Sequence, residues 1–151
     1  ALLQEERAGL DEASYHLEFL QVTSSTGTQP AATAMVRIKE GEILHSEVGR
    51  GNGPVDAAVD AILRITGVKC RLTDFSVNSV TRGRDALAEA NLMVEFADGL
   101  QLAGHAASPD TVEAGAKAFL SAVNKYRLTQ SLKKKNGKGK KKKNGGRPKG
   151  I

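Results

Sequence analysis

The chain reads as an α+β fold: two βββα units related by an internal pseudo-twofold, with antiparallel sheets and helices packed on one face. Three observations predict it. A helix entrance occurs twice, 57 positions apart, so that Pro54-Val55-Asp56-Ala57-Ala58-Val59-Asp60-Ala61-Ile62-Leu63 aligns with Thr111-Val112-Glu113-Ala114-Gly115-Ala116-Lys117-Ala118-Phe119-Leu120, with four of ten pairs identical. Ahead of each entrance, alternating apolar and polar residues pair as hairpins through Glu40-Gly41 and Asp98-Gly99. The strands also come in runs before each helix, which is the element order of an α+β domain.

Each element has its own warrant. Tyr15 to Val22 is rich in aromatic and aliphatic residues and reads as a strand, and Thr23 to Pro30 is a loop by composition. From Ala32 to Lys39 the pattern alternates, with Ala32, Ala34, Val36 and Ile38 on one face. Glu42 to Val48 returns as the third strand. Gly53 at N-cap, Pro54 at N1 and Asp56 at N3 start the first helix, Val55, Ala58, Val59, Ile62 and Ile65 form its apolar stripe, and Gly67 stops it. The second unit repeats the order. Leu72 to Val80 is a strand, residues 81–85 a loop, Ala88, Ala90, Leu92, Val94 and Phe96 one strand face, and Leu100 to His105 the last strand. Asp110 at N-cap, Thr111 at N1 and Glu113 at N3 open the second helix, a variant of the capping box. Its stripe is Val112, Gly115, Ala116, Phe119, Leu120 and Val123.

Charge divides the chain. Residues 131–151 hold nine Lys and one Arg with no acid, leaving 12 of the 22 basic groups in the body against 17 acidic ones. The Lys/Gly-rich tail cannot bury apolar surface and is expected to be disordered, while residues 1–14 read as a linker or short helix. Between them, residues 15–130 form one domain, with repeat 1 over about 15–67 and repeat 2 over about 70–127. The single Cys70 excludes an intramolecular disulfide and a cysteine-based metal site, and is read as a half-buried strand residue. No apolar run approaches the ~20 residues that span a bilayer, and Gln4-Glu5-Glu6-Arg7 interrupts any signal-peptide pattern, so a cytoplasmic setting with no membrane partner is expected.

Catalytic machinery is not legible. His16, His45 and His105 stand singly, no nucleophile elbow, Walker loop or carboxylate pair appears, and neither metal nor cofactor is expected. What the repeat does offer is a niche. Two helix starts brought together at a pseudo-twofold seam point backbone N–H groups at a shared space, a ready place for a carboxylate. The niche residues are Gly51, Asn52, Gly53, Pro54, Val55, Asp56, Ala57 and Ala58 from the first start, and Ser108, Pro109, Asp110, Thr111, Val112, Glu113 and Ala114 from the second. Asp56, Asp110 and Glu113 can be ammonium acceptors or simply caps and dipole partners. The alanines can line a small apolar pocket or pack on a sheet.

The string Gly51-Asn52-Gly53-Pro54-Val55-Asp56-Ala57 resembles the motif that opens the first regulatory helix of 2-isopropylmalate synthases and, more loosely, of citramalate synthases. Residues 17–22, 80–86, 108–114 and 118–124 agree in order, so the likeness covers about 15–127. It implies the C-terminal allosteric domain of an acyltransferase that condenses acetyl-CoA with a 2-oxo acid in leucine biosynthesis. It also implies a homodimer, an end-product effector (leucine, or a similar branched-chain amino acid) acting by feedback inhibition, and a catalytic domain as partner. The TIM barrel is absent from these residues, so catalysis is not expected of this chain alone. Asn52 stands where the family usually has Asp, and Gly115 where Ser is frequent. The competing expectation is a polyanion- or nucleic-acid-binding protein acting through the basic tail. That tail lacks the interleaved aromatics that grip bases, so nucleic acid is the lesser expectation.

Overall fold

The structure, a computed structural model, describes residues 14–27 and 31–144, with residues 82 and 135–144 described by backbone alone. The expectation for residues 1–14 therefore lies outside the described residues apart from Ser14. Three strands, β1 (Tyr15–Ser25), β2 (Ala31–Glu40) and β3 (Ile43–Gly51), form an antiparallel sheet in the order β1-β2-β3 and lead into helix α1 (Pro54–Thr66). A second sheet of β4 (Cys70–Arg82), β5 (Asp85–Phe96) and β6 (Gln101–Ser108) repeats that order and leads into α2 (Thr111–Asn144). The βββα duplication is thus present in full.

The duplication extends to a detail that residue patterns do not carry. Register slips between Leu17 and Phe19 in β1 and between Leu72 and Asp74 in β4, so Glu18 and Thr73 are extra residues at the same place in each first strand. Such bulges bend the strand and raise its twist, here at the edge of each sheet. β1 also runs to Ser25, three residues into the segment read as loop, because Thr23, Ser24 and Ser25 find partners in Thr33, Ala32 and Ala31.

The alternating faces are buried as the pattern required. Ala32, Ala34, Val36 and Ile38 are at most 2% exposed and Ala88, Ala90, Leu92, Val94 and Phe96 at most 4%. Of the expected helix stripes, Ala58 and Ile62 of α1 and Gly115, Ala116, Phe119, Leu120 and Val123 of α2 are buried. On α1, Ala57, Ala58, Ala61 and Ile62 are buried, while Val55, Val59 and Ile65 lie at the margin. On α2 the row Ala114, Ala118, Ala122 joins Phe119 and Val123 in the core. The reason is a matched glycine in each third strand. A Cβ on Gly49 would overlap backbone atoms of Ala57 and Ala61, and one on Gly104 would overlap the Ala118 carbonyl. Bare backbone on the strand and alanine on the helix let the two layers approach closely, so the small residues face the sheet.

The repeats are joined by three features. The helices touch where Val55 meets Gly115. Tyr15 donates its N–H to Asn124 Oδ1 (2.9 Å), and Asn124 Nδ2 donates back to the Tyr15 carbonyl (3.0 Å). Arg127 stacks its guanidinium 4.2 Å from the Tyr15 ring centroid and pairs with Glu40 at 2.6 Å, while Glu40 also meets His45 at 3.1 Å. Burial works against ionisation of Glu40, but the bonds from His45 and Arg127 outweigh it and hold its carboxyl below the usual range.

Composition predicted disorder from residue 131. Helix α2 runs to Asn144, and residues 145–151 of that tail lie outside the described residues. Lys is a good helix former, and once the packed turns of residues 111–127 have met the nucleation cost, each further residue adds a hydrogen bond.

Candidate functional site

Each helix start is built by its loop. At α1, Gly53 takes the N-cap in extended conformation (φ −144°, ψ 172°) and offers no side chain to the first turn, and Pro54 follows at N1. Backbone closure is made by Ala57 N–H to Gly53 O at 3.0 Å. The amides of Val55 and Asp56, at N2 and N3, therefore have no side-chain cap. Gly51 is required by close approach, since a Cβ there would stand 2.6 Å from Asp56 Cβ and 2.7 Å from Ala57 N. Asn52 and Asp56 are exposed, and Asp56 has no ion pair among the described residues.

The α2 start is closed on itself. Asp110 Oδ1 accepts the Glu113 N–H at 2.8 Å, and Ser108 Oγ accepts the Asp110 N–H at 3.2 Å. Glu113 pairs with Lys117 at 2.7 Å. That bond from Lys117 holds the Glu113 carboxyl below its ordinary range against the opposing effect of burial, with a bond from Ser108 adding to it. Asp110 and Glu113 thus serve as cap and dipole partner in the single chain. Pro109 and Thr111 are exposed, and Ser108 is buried.

Placed together, the two starts meet through apolar atoms: the Cβ direction of Gly115 points at both Cγ atoms of Val55 and at Phe75 of β4. Beside them lies an open groove of about 440 Å³ between β1 and the α2 start. Asp110, Val112 and Glu113 line it, and so do Leu17, Glu18, Phe19, Leu20 and Val22, which sequence reading did not place at the site. Their presence comes from the inter-repeat packing that lays β1 against α2, and only the unclaimed apolar face of β1 hinted at it. Ala57, Ala58 and Ala114 carry no exposed surface, so in the single chain they pack inward. Among the described residues, no three His, Cys, Asp or Glu side chains gather as metal ligands would.

Chemically, the α1 start offers a helix N-terminus without a side-chain cap, and the groove at the α2 start offers the carboxylates of Glu18, Asp110 and Glu113 with aliphatic walls from Leu17, Leu20, Val22 and Val112.

Comparison with known proteins identifies the family of the chain. The LeuA allosteric (dimerisation) domain family matches residues 1–127. The chain is 43% identical over 122 residues to a 2-isopropylmalate synthase of Pelotomaculum thermopropionicum, covering 80% of this chain and 24% of that protein. It is 44% identical over 110 residues to the 2-isopropylmalate synthase of Dictyoglomus turgidum, covering 73% and 22%, and 39% identical over 125 residues to that of Thermosynechococcus vestitus, covering 83% and 23%. The chain thus spans about a quarter of the length of these relatives. None of these descriptions favours a polyanion-binding role, and the family match ends before the Lys-rich stretch. With the family matched from residue 1 to residue 127 and the doubled βββα unit present, the chain belongs to the LeuA allosteric (dimerisation) domain family.

Proposed function

We propose that this chain is the effector-sensing and dimerising part of a 2-isopropylmalate synthase type acyltransferase, and that it binds leucine or a similar branched-chain amino acid for feedback inhibition in the cytoplasm. The observation that carries the reading is the difference between the two helix starts. At the α2 start Asp110 caps the amide of Glu113, whereas the α1 start, with Gly53 at N-cap, has no side-chain cap for the amides of Val55 and Asp56. A ligand carboxylate there gains hydrogen bonds and the favourable end of the helix dipole. Its ammonium finds carboxylate acceptors in Asp56 or in the groove acids, and its aliphatic side chain finds the walls at the seam.

Inhibition follows from linkage. An effector that binds one arrangement of two protomers more tightly than another shifts the dimer toward it, and a catalytic domain joined to each protomer senses the shift. The condensation of acetyl-CoA with a 2-oxo acid belongs, in this reading, to the parent protein beyond these residues. Calorimetric titration of the chain with leucine, isoleucine and valine tests the proposal. Saturable heat with at least one, together with a raised Tm, supports it. Absence of heat and of any thermal shift at millimolar concentrations of all three would end it.

A further inference from the structure

We propose that a second copy of this chain docks on an apolar band that crosses the pseudo-twofold seam; the inference rests on the dimerising part of the reading above. Each helix covers two strands of its own sheet, α1 lying on β3 and β2 and α2 on β6 and β5. The first strand of each repeat is left part-open. On β1, Leu20 and Val22 share a sheet face with Val36 and Ala34, which have no exposed surface, yet both are only half-buried. On β4, Phe75 and Val77 stand beside Leu92 and Ala90, which are at most 4% exposed, but Phe75 is 36% exposed and Val77 half-buried. A contiguous row of open apolar side chains on the core side of a sheet marks an interaction surface.

The two rows are one surface. Leu20 lines the groove at the α2 start together with Val112, while Phe75 and Val55 of the α1 start both flank Gly115 of α2. Val55 and Val112 are counterparts in the repeat, and so are Leu20 and Phe75, each two residues beyond the bulge of its strand. The band therefore runs from β1 over both helix starts to β4 and is itself twofold. A second copy is the occupant it fits. An isologous contact sets a patch against the same patch, and a patch with internal twofold order matches itself in that arrangement. Two strands of 11 and 13 residues, with two helix starts, also supply the roughly 20–30 residues a side of a standard interface. The family of the chain is described by its dimerisation. A second exposed apolar pair, Met35 and Val48, lies on the opposite face of the first sheet. Its neighbours on that face are Thr33, Arg37, Ser46 and Arg50, the ordinary pattern of a solvated face.

Analytical ultracentrifugation over a concentration series tests the inference on the wild-type chain, on Phe75→Lys and Leu20→Lys in the band, and on Met35→Lys on the opposite face. The wild-type chain should form a dimer. Each band variant should keep the native circular dichroism spectrum and raise the dimer Kd by about tenfold or more, while Met35→Lys stays within about threefold of wild type. A dimer Kd left unchanged by either band variant, or raised about tenfold by Met35→Lys, overturns the inference and leaves the dimerising reading standing. If a band variant fails to fold, Phe75→Ala decides: a Kd raised by about threefold or more supports the inference, and an unchanged one overturns it. A wild-type chain that stays monomeric at every concentration fells the dimerising reading and this inference with it.

Discussion

The close approach of helix to sheet can be tested at Gly104. A Cβ there would overlap the Ala118 carbonyl oxygen and stand 2.8 Å from Leu92 Cδ1 and 2.9 Å from the Ala118 carbonyl carbon. Restoring an ordinary carbon separation from 2.9 Å requires α2 to retreat by roughly 0.6–1 Å, a gap that forfeits about a quarter to a half of the facing contact energy. Overpacking costs about 1–3 kcal/mol in general. The obstacle here is helix backbone rather than a side-chain tip, so Gly104→Ala should fall at the upper end, about 3 kcal/mol. For a domain of this length that is a Tm lowered by roughly 6–12 °C. Guanidinium and thermal denaturation followed by circular dichroism supply the measurement. Gly53→Ala is the control, because its Cβ meets nothing nearer than 3.8 Å and its φ of −144° suits any residue. That variant should stay within about 1 kcal/mol of wild type. If Gly104→Ala matches wild type to about 0.5 kcal/mol, or loses no more than the control, the tight strand-to-helix contact is not what sets the layer spacing.

Three further outcomes are expected. Asn124→Ala leaves both the N–H and the carbonyl of Tyr15 without their side-chain partner and should cost about 1–3 kcal/mol, whereas Asn124→Gln, too long for the same two bonds, should rescue little. Asp110→Ala removes the cap from Glu113 N–H and should destabilise the chain by about 1 kcal/mol, read as a shift in denaturation midpoint with unchanged slope. Glu40, Asp60 and Glu113 all have carboxyls held below their ordinary values, Asp60 chiefly by the Arg50 N–H. The folded chain therefore binds fewer protons than the unfolded one, and this stabilisation is fully present above about pH 4.5 and lost as pH falls through the lowered folded values. Tm measured from pH 7 downward should decline below about pH 4.5, and a rise on acidification there would contradict the assigned pairs.

Residue pattern by itself determined the element order, the duplication and the buried strand faces. Alternation at Ala32 to Ile38 and Ala88 to Phe96 is a local property, because a strand turns successive side chains to opposite sides whatever it packs on. The starts at Gly53-Pro54 and Asp110 were legible for the same reason, since capping is settled within four residues. Tertiary structure alone decided that Ala57, Ala61, Ala114, Ala118 and Ala122 joined the buried helix faces while Val55 and Val59 stayed at the margin. Hydrophobicity favoured Val55 and Val59, but Gly49 and Gly104 admit a helix only through its smallest side chains, so the alanine rows won. It also decided that β1 contributes Leu17 to Val22 to a groove with α2, a contact between residues about 90 positions apart that no local rule encodes. The tail shows the same division: charge argued for disorder from 131, yet a helix already anchored by packing propagates past the point where its own composition would have started one.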